Sequence, residues 1–96
     1  MAAYMIADID VTDPERYAGY VKSVSPSLAK HGGRFLVRGG RTEELEGSWT
    51  PKRIVVLEFE SFDRAMQWWN SEEYADPKLV RRSASRCNMI MVDGVR

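Results

Sequence analysis

Cysteine is almost missing from this chain. Cys87 stands alone among 96 residues, so no internal disulfide forms and no cysteine-rich zinc site exists. Histidine is equally scarce. His31 has no partner at His-x-x-x-His or facial-triad spacing, so no metal is expected; no cofactor is expected either. An excess of one charge is also lacking: fourteen basic side chains meet fourteen acidic ones, and no global field points to nucleic acid or an anionic membrane. No apolar run approaches a signal h-region or a membrane span, and Asp8, Asp10 and Asp13 crowd the first residues. Cytoplasm is the expected location. No Gly-x-Gly-x-x-Gly phosphate loop and no Gly-x-Ser-x-Gly elbow appears. Repeats, low-complexity segments and linkers are absent too, so residues 1–96 read as one domain. A chain this short buries about two-thirds of its unfolded surface, enough for one core.

What is present is periodicity. Ala3 to Val11 reads as a strand with apolar residues on both alternating faces. A helix start follows, either Asp13 capping with Pro14 at the first helical position or Thr12 and Glu15 forming a capping box. Tyr17, Tyr20, Val21, Val24 and Leu28 make its apolar stripe. Pro26 should kink or split it near Ser25, and Gly32 offers a left-handed stop. Arg34 to Arg38 is a short strand between two glycine pairs, and Gly39 to Lys52 is a long polar connection of the kind that is often functional or interfacial. Arg53 to Glu60 is the clearest strand. Ser61 then caps a helix with Phe62, Ala65, Met66 and Trp69 on its buried stripe and Trp68 at the stripe's edge. Asn70-Ser71 interrupts it, Asp76-Pro77 restarts a helix to about Arg86, and Asn88 to Val92 is the last strand. The order β-α-β-β-α-β predicts an α+β, ferredoxin-like fold: a four-stranded antiparallel sheet with the helices on one face.

The face left open should be polar in a monomer. Yet Tyr4 and Ile6 alternate with Met5, Ala7 and Ile9, Ile54 and Val56 with Val55, Leu57 and Phe59, and Ile90 and Val92 with Met89 and Met91. Both faces are apolar, so a homodimer with its sheets packed against each other is expected. A spaced set of residues carries a resemblance: Tyr17 and Tyr20, His31-Gly32-Gly33-Arg34, Val37-Arg38-Gly39-Gly40, Glu46-Gly47-Ser48-Trp49, Arg53-Ile54-Val55, Glu58-Phe59, Ala65, Trp68, Ser71-Glu72-Glu73-Tyr74 and Arg81-Arg82. Over nearly its whole length the chain resembles the small proteins grouped as domain-of-unknown-function family 1330, in the dimeric α/β-barrel superfamily. The resemblance implies the dimeric barrel and little chemistry. Relatives in the superfamily include cofactor-free oxygenases, haem-dependent enzymes, isomerases and dechlorinating enzymes, so the fold does not select a function.

Several side chains are candidates for a site. Arg34, Leu36 and Arg38 share a strand face, and with Arg38 opposite Ile54, Arg34 falls opposite Glu58. These charges, with Asp8, read either as an ion-pair network fixing register or the dimer interface, or as an anion site lining a cavity. His31 is the one histidine for acid–base work, but its place at a helix end beside glycine also explains it. Ser71 and Tyr74 with Arg82 offer hydroxyls and a charge, while Lys78, Arg81, Arg82 and Arg86 read as a solvated or intersubunit stripe. Trp49 in the polar loop either anchors that loop across the dimer or walls a pocket. Gly33-Arg34-Phe35-Leu36-Val37 is faintly similar to an RNA-binding sheet motif, but Phe35 has no aromatic partner and the net charge is zero, so RNA is not expected. The resulting expectation is a small anionic or carbonyl-bearing metabolite between sheet and helices. It would be held among Arg34, Arg38, Glu58, Ser71, Tyr74, Arg82 and Trp49. The alternatives are a cofactor-free oxygenase or isomerase in which His31 or Tyr74 moves protons, and an interaction domain without a ligand.

Overall fold

A computed structural model describes residues 1–95. The elements run β1 (Ala3–Val11), α1 (Pro14–Lys30), β2 (Arg34–Arg38), β3 (Ile54–Phe59), α2 (Phe62–Trp69), α3 (Glu72–Ala84) and β4 (Ser85–Asp93). The strands form one antiparallel sheet in the order β2-β3-β1-β4, the ferredoxin-like arrangement the element order predicts. Met5, Ala7, Ile9, Val55, Leu57 and Phe59 point to one side of it and are buried. Tyr17, Tyr20, Val24 and Leu28 of α1, Ala65 and Trp68 of α2, and Tyr74 and Ala84 of α3 join them in one core.

Local chemistry explains the boundaries. Asp13 is the N-cap of α1, its carboxylate accepting from the Arg16 amide at 3.2 Å, with Pro14 in the first helical position where its missing N–H costs nothing. The Thr12–Glu15 alternative is therefore not used. At the other end His31 is the C-cap and Gly32 takes φ +70, while the amides of Gly32 and Gly33 bond back to Ala29 and Leu28, a Schellman closure. Pro26 does not split the helix as expected. The residue is exposed, so the carbonyl it deprives of a donor can lean into water, while Val24, Ser27 and Leu28 bury the opposite side.

The C-terminal half needs more correction. The helix expected to restart at Asp76-Pro77 begins five residues before Pro77, because Ser71 caps it: its hydroxyl accepts from the Tyr74 amide at 3.2 Å and donates to the Trp68 carbonyl at 2.7 Å. Pro77 sits inside α3, and the helix gives way to β4 at Ser85 rather than at Asn88. The two tryptophans exchange roles. Trp68 is fully buried, donating its indole N–H to Ser27 at 3.1 Å, while Trp69 is only partly covered. Arg81 is 4% exposed, so it belongs to the core and not to a solvated stripe.

Candidate functional site

The strand that carries two arginines decides where they act. Arg34 pairs with Glu58 and Phe35 with Leu57, but Val37 then pairs with Val56 and Arg38 with Val55. Leu36 is the extra residue of a β-bulge, and one extra residue reverses every side chain after it. Arg34 and Arg38 therefore stand on opposite faces of the sheet, and Arg38 faces Val55 rather than Ile54. The register pair at Arg34 and Glu58 is as expected: Arg34 Nε donates to Glu58 Oε1 at 2.7 Å on the open face.

The bulge sends Arg38 to the helix side. Its guanidinium lies 4.2 Å from the Phe35 ring centre and makes a long contact, 3.4 Å, with the Val21 carbonyl of α1. Arg53, two residues before Val55 on the same side, joins it. Between α1 and the sheet these two arginines supply the only charges, among the described residues, of a narrow cavity walled by Met5, Tyr17, Tyr20, Val24, Leu57 and Met89. Its volume is about 20 Å³, room for roughly one water. Outside it, a groove of about 420 Å³ runs along Val11, Pro14, Ala18 and Lys22. Tyr17, Val21 and Arg53 border both spaces, so these three side chains partition them. The Nε of Arg53 is buried and, like that of Arg64, has no acceptor among the described residues. That is an anomaly, because a buried charged donor without an acceptor forfeits about 1–3 kcal/mol.

Behind the cavity lies a chain of buried hydroxyls. Tyr20 and Tyr74 are linked oxygen to oxygen at 3.0 Å, and Arg81 Nε donates to the Tyr74 oxygen at 3.2 Å. Burial, reinforced by Tyr74, holds the Tyr20 phenol protonated far above its ordinary range, so it does not serve as a base. Cys87, on the same side, has its thiol pushed up by burial.

The remaining sequence candidates lie elsewhere. His31 caps α1 and its Nε2 meets Glu73 Oε1 at 2.8 Å, an interaction that keeps the Glu73 carboxyl below its usual range. From Tyr17 to His31 along the helix is about 21 Å at 1.5 Å per residue, so the histidine is remote from the arginines. Ser71 is occupied as a helix cap, and Arg82 is exposed on α3. Trp49 donates its indole N–H to Asp8 Oδ2 at 2.9 Å, and the Asp8 carboxylate also accepts from the Lys52 amide at 3.0 Å. Asp8 faces the open side of the sheet, so this clamp holds the long loop against that side. Of the seven expected ligand residues, only Arg38 lines the cavity, with Tyr74 one hydroxyl behind it; Arg34, Glu58 and Trp49 gather on the opposite face. Arg53 and Tyr17 were not singled out as ligand residues. The signal for Arg53 was its parity with Val55, which sets it on the buried side of β3.

The family described as a domain of unknown function (DUF1330) matches residues 2–95. The chain belongs to this family. No functionally curated protein is detectably similar to it in sequence. Among solved structures it is similar to RPA0582, a protein of unknown function from Rhodopseudomonas palustris, with TM-score 0.78 and 16% identity over 99% of this chain and 83% of that one. It is similar to SnoaB, a cofactor-independent oxygenase from Streptomyces nogalater, with TM-score 0.66 and 10% identity over 99% and 94%. Rv0793 from Mycobacterium tuberculosis aligns with TM-score 0.57 and 12% identity over 100% and 97%. At such identities the likeness is one of fold, the α+β, ferredoxin-like arrangement of a four-stranded antiparallel sheet with helices on one face.

Proposed function

We propose that this DUF1330 protein is a homodimer that binds a small anionic or carbonyl-bearing metabolite between α1 and the sheet, with Arg53 and Arg38 as its anchors. The observation that carries the ligand reading is the buried Arg53 Nε without an acceptor, beside Tyr17. A carboxylate or carbonyl oxygen supplies the missing acceptor and, for a carboxylate, the fork-to-fork geometry that arginine favours. The inner cavity alone is too small for any metabolite, whereas the groove falls within the usual 300–1,000 Å³ of ligand sites. The ligand body therefore lies in the groove, its acidic end on Arg53. Two arginines without a carboxylate partner favour an anion over a neutral guest.

The dimer reading rests on the open face of the sheet. Ile90 is 60% exposed there, and Val37, Val92 and Trp49 are exposed with it. A second copy of the same face buries them. In that arrangement Arg34, Glu58 and Trp49 belong to the interface. Ile90→Asp should shift the particle mass to one protomer in light scattering at micromolar concentration. Wild-type protein that is already monomeric there rules the dimer out.

Native mass spectrometry of freshly purified protein tests the ligand reading. The expected result is a co-purifying small mass on the wild type that Arg53→Met and Arg38→Met each lose while remaining dimeric. Variants that dissociate or unfold instead mark the arginines as structural. The similarity of fold to SnoaB favours one alternative, a cofactor-free oxygenase- or isomerase-like enzyme in which Tyr74 or His31 moves protons. Oxygen uptake or turnover of a co-purified compound distinguishes it from a binding module.

A further inference from the structure

Helix α3 carries an arrangement of charge that the site above does not use. Lys78, Arg81 and Arg82 lie three and four residues apart, and no acid occupies any position three or four residues from any of them. Like charges at these spacings disfavour a helix by about 0.2–0.5 kcal/mol per pair. Among the described residues the ion pairs involve only His31 and Arg34 among the basic groups. All three cations instead surround one indole. Lys78 Nζ is 4.1 Å from the Trp69 ring centre, and the guanidinium carbons of Arg82 and Arg81 are 5.8 and 5.9 Å away. Arg81 is buried and has the Tyr74 hydroxyl oxygen where a carboxylate would balance its charge. Burial and the two neighbouring arginines push the Lys78 ammonium below its ordinary range, the electrostatic signature of excess positive charge.

Trp69 is also one wall of an apolar groove. Met66 of α2 and Met5, Met89 and Met91 of the sheet line the rest, with Ile90 at its edge. Its volume is about 190 Å³. An apolar cavity of about 150 Å³ accepts a benzene, so one ring or a short acyl chain fits here and a larger body does not. Methionines suit such a guest because their thioethers adapt to its shape and make favourable sulfur–aromatic contacts. We infer that this groove is a second ligand site, for a small aryl or short acyl carboxylate, its apolar body among the methionines and its carboxylate balancing Lys78 and Arg82 around Trp69. The site is separate from the Arg53 groove and stands or falls independently of it.

The test uses full-length protein labelled with methyl-13C methionine, with phenylacetate as the probe and 2-phenylethanol as its neutral counterpart. Met66 and Met91 border this groove and not the cavity under α1, whereas Met5 and Met89 border both, and exposed Met1 serves as the control. Saturable shifts of the Met66 and Met91 methyls with phenylacetate are expected, with Met1 unmoved. The alcohol should bind about tenfold more weakly, the worth of one charge-assisted contact. Replacing Lys78→Gln and Arg82→Gln together should weaken phenylacetate by about the same factor and leave the alcohol unchanged. Both side chains reach solvent, and an unaltered amide spectrum verifies folding. The inference is overturned by the absence of a saturable shift up to about 10 mM, the weak end for a ligand this small. Equal affinities for acid and alcohol also overturn it. So do shifts at Met5 and Met89 without Met66 and Met91, which would assign the ligand to the Arg53 side.

Discussion

The buried oxygen of Tyr74 can be removed without disturbing its ring, which makes it a sharp probe of the core. Tyr74→Phe keeps the aromatic packing against Trp68, whose ring centre is 4.0 Å away. It deletes the acceptor of Arg81 Nε and the partner of the Tyr20 hydroxyl at once. Both groups stay buried, and each unsatisfied group costs about 1–3 kcal/mol, so the expected loss is about 2–6 kcal/mol. Tyr20→Phe removes one oxygen from the same pair but leaves Tyr74 to accept from Arg81, and should cost about 1 kcal/mol. The double variant should lose less than the sum, because the orphaned Tyr20 hydroxyl disappears with its partner. Adding Arg81→Met to Tyr74→Phe should recover stability, since it removes the unbalanced charge as well. Urea unfolding at fixed protomer concentration measures this, with the midpoint of Tyr74→Phe falling by more than about 1 M at unchanged slope. If Tyr20→Phe is as damaging as Tyr74→Phe, or if Tyr74→Phe costs under about 0.5 kcal/mol, Arg81 does not depend on that oxygen and the reasoning fails.

Two further outcomes follow from other parts of the molecule. The Trp49 indole N–H, followed by the Lys52 and Arg53 amides, holds the Asp8 carboxyl below its ordinary 3.8 despite partial desolvation. The stabilisation is therefore complete above that value and is lost as pH falls through the lowered one. Acrylamide quenching of Trp49, isolated by comparison with Trp49→Phe, should rise in strong acid for the wild type and already be high at neutral pH for Asp8→Asn; identical profiles would refute the clamp. At Gly33 a β-carbon would stand 2.6 Å from the Phe59 ring and 2.9 Å from Leu28, whereas at Gly40 nothing lies within 4 Å. Gly33→Ala should destabilise by about 1–3 kcal/mol through overpacking. Equal urea midpoints for Gly33→Ala and Gly40→Ala would show that the close approach relaxes freely.

Much of the fold was legible because the strands alternate cleanly and the caps obey local chemistry. The bounds of β1 and β2 follow directly from the residues, and of the two α1 starts that the residues allow the structure takes Asp13-Pro14. Proline misled twice, at Pro26 and Pro77, because its cost in a helix is local while the burial that outweighs it is tertiary. The tryptophans misled for a related reason. Helical spacing from Phe62 favoured Trp69, but Phe62 is itself exposed, and Ala65 and Trp68 set the true buried stripe. Ser71 read as a break between helices because its capping role depends on where the next helix begins, which periodicity locates only loosely.

The candidate site was less legible, and one residue accounts for most of the difference. Reading Arg34 and Arg38 as neighbours assumes an uninterrupted pleat, but the bulge at Leu36 places them on opposite sides of the sheet. No glycine or proline inside β2 marks that bulge, so parity counting passes through it. Once it is placed, the charges sort by face. Arg34, Glu58, Asp8 and Trp49 satisfy one another on the open side, through an ion pair and a carboxylate clamp. On the helix side Arg38 and Arg53 face phenols and aliphatic walls without a carboxylate between them. Charges that are mutually satisfied explain themselves by register and loop anchoring. Charges left without a carboxylate among the described residues lack that explanation, and this distinction, rather than the abundance of arginine, is what supports the proposed ligand on the α1 side.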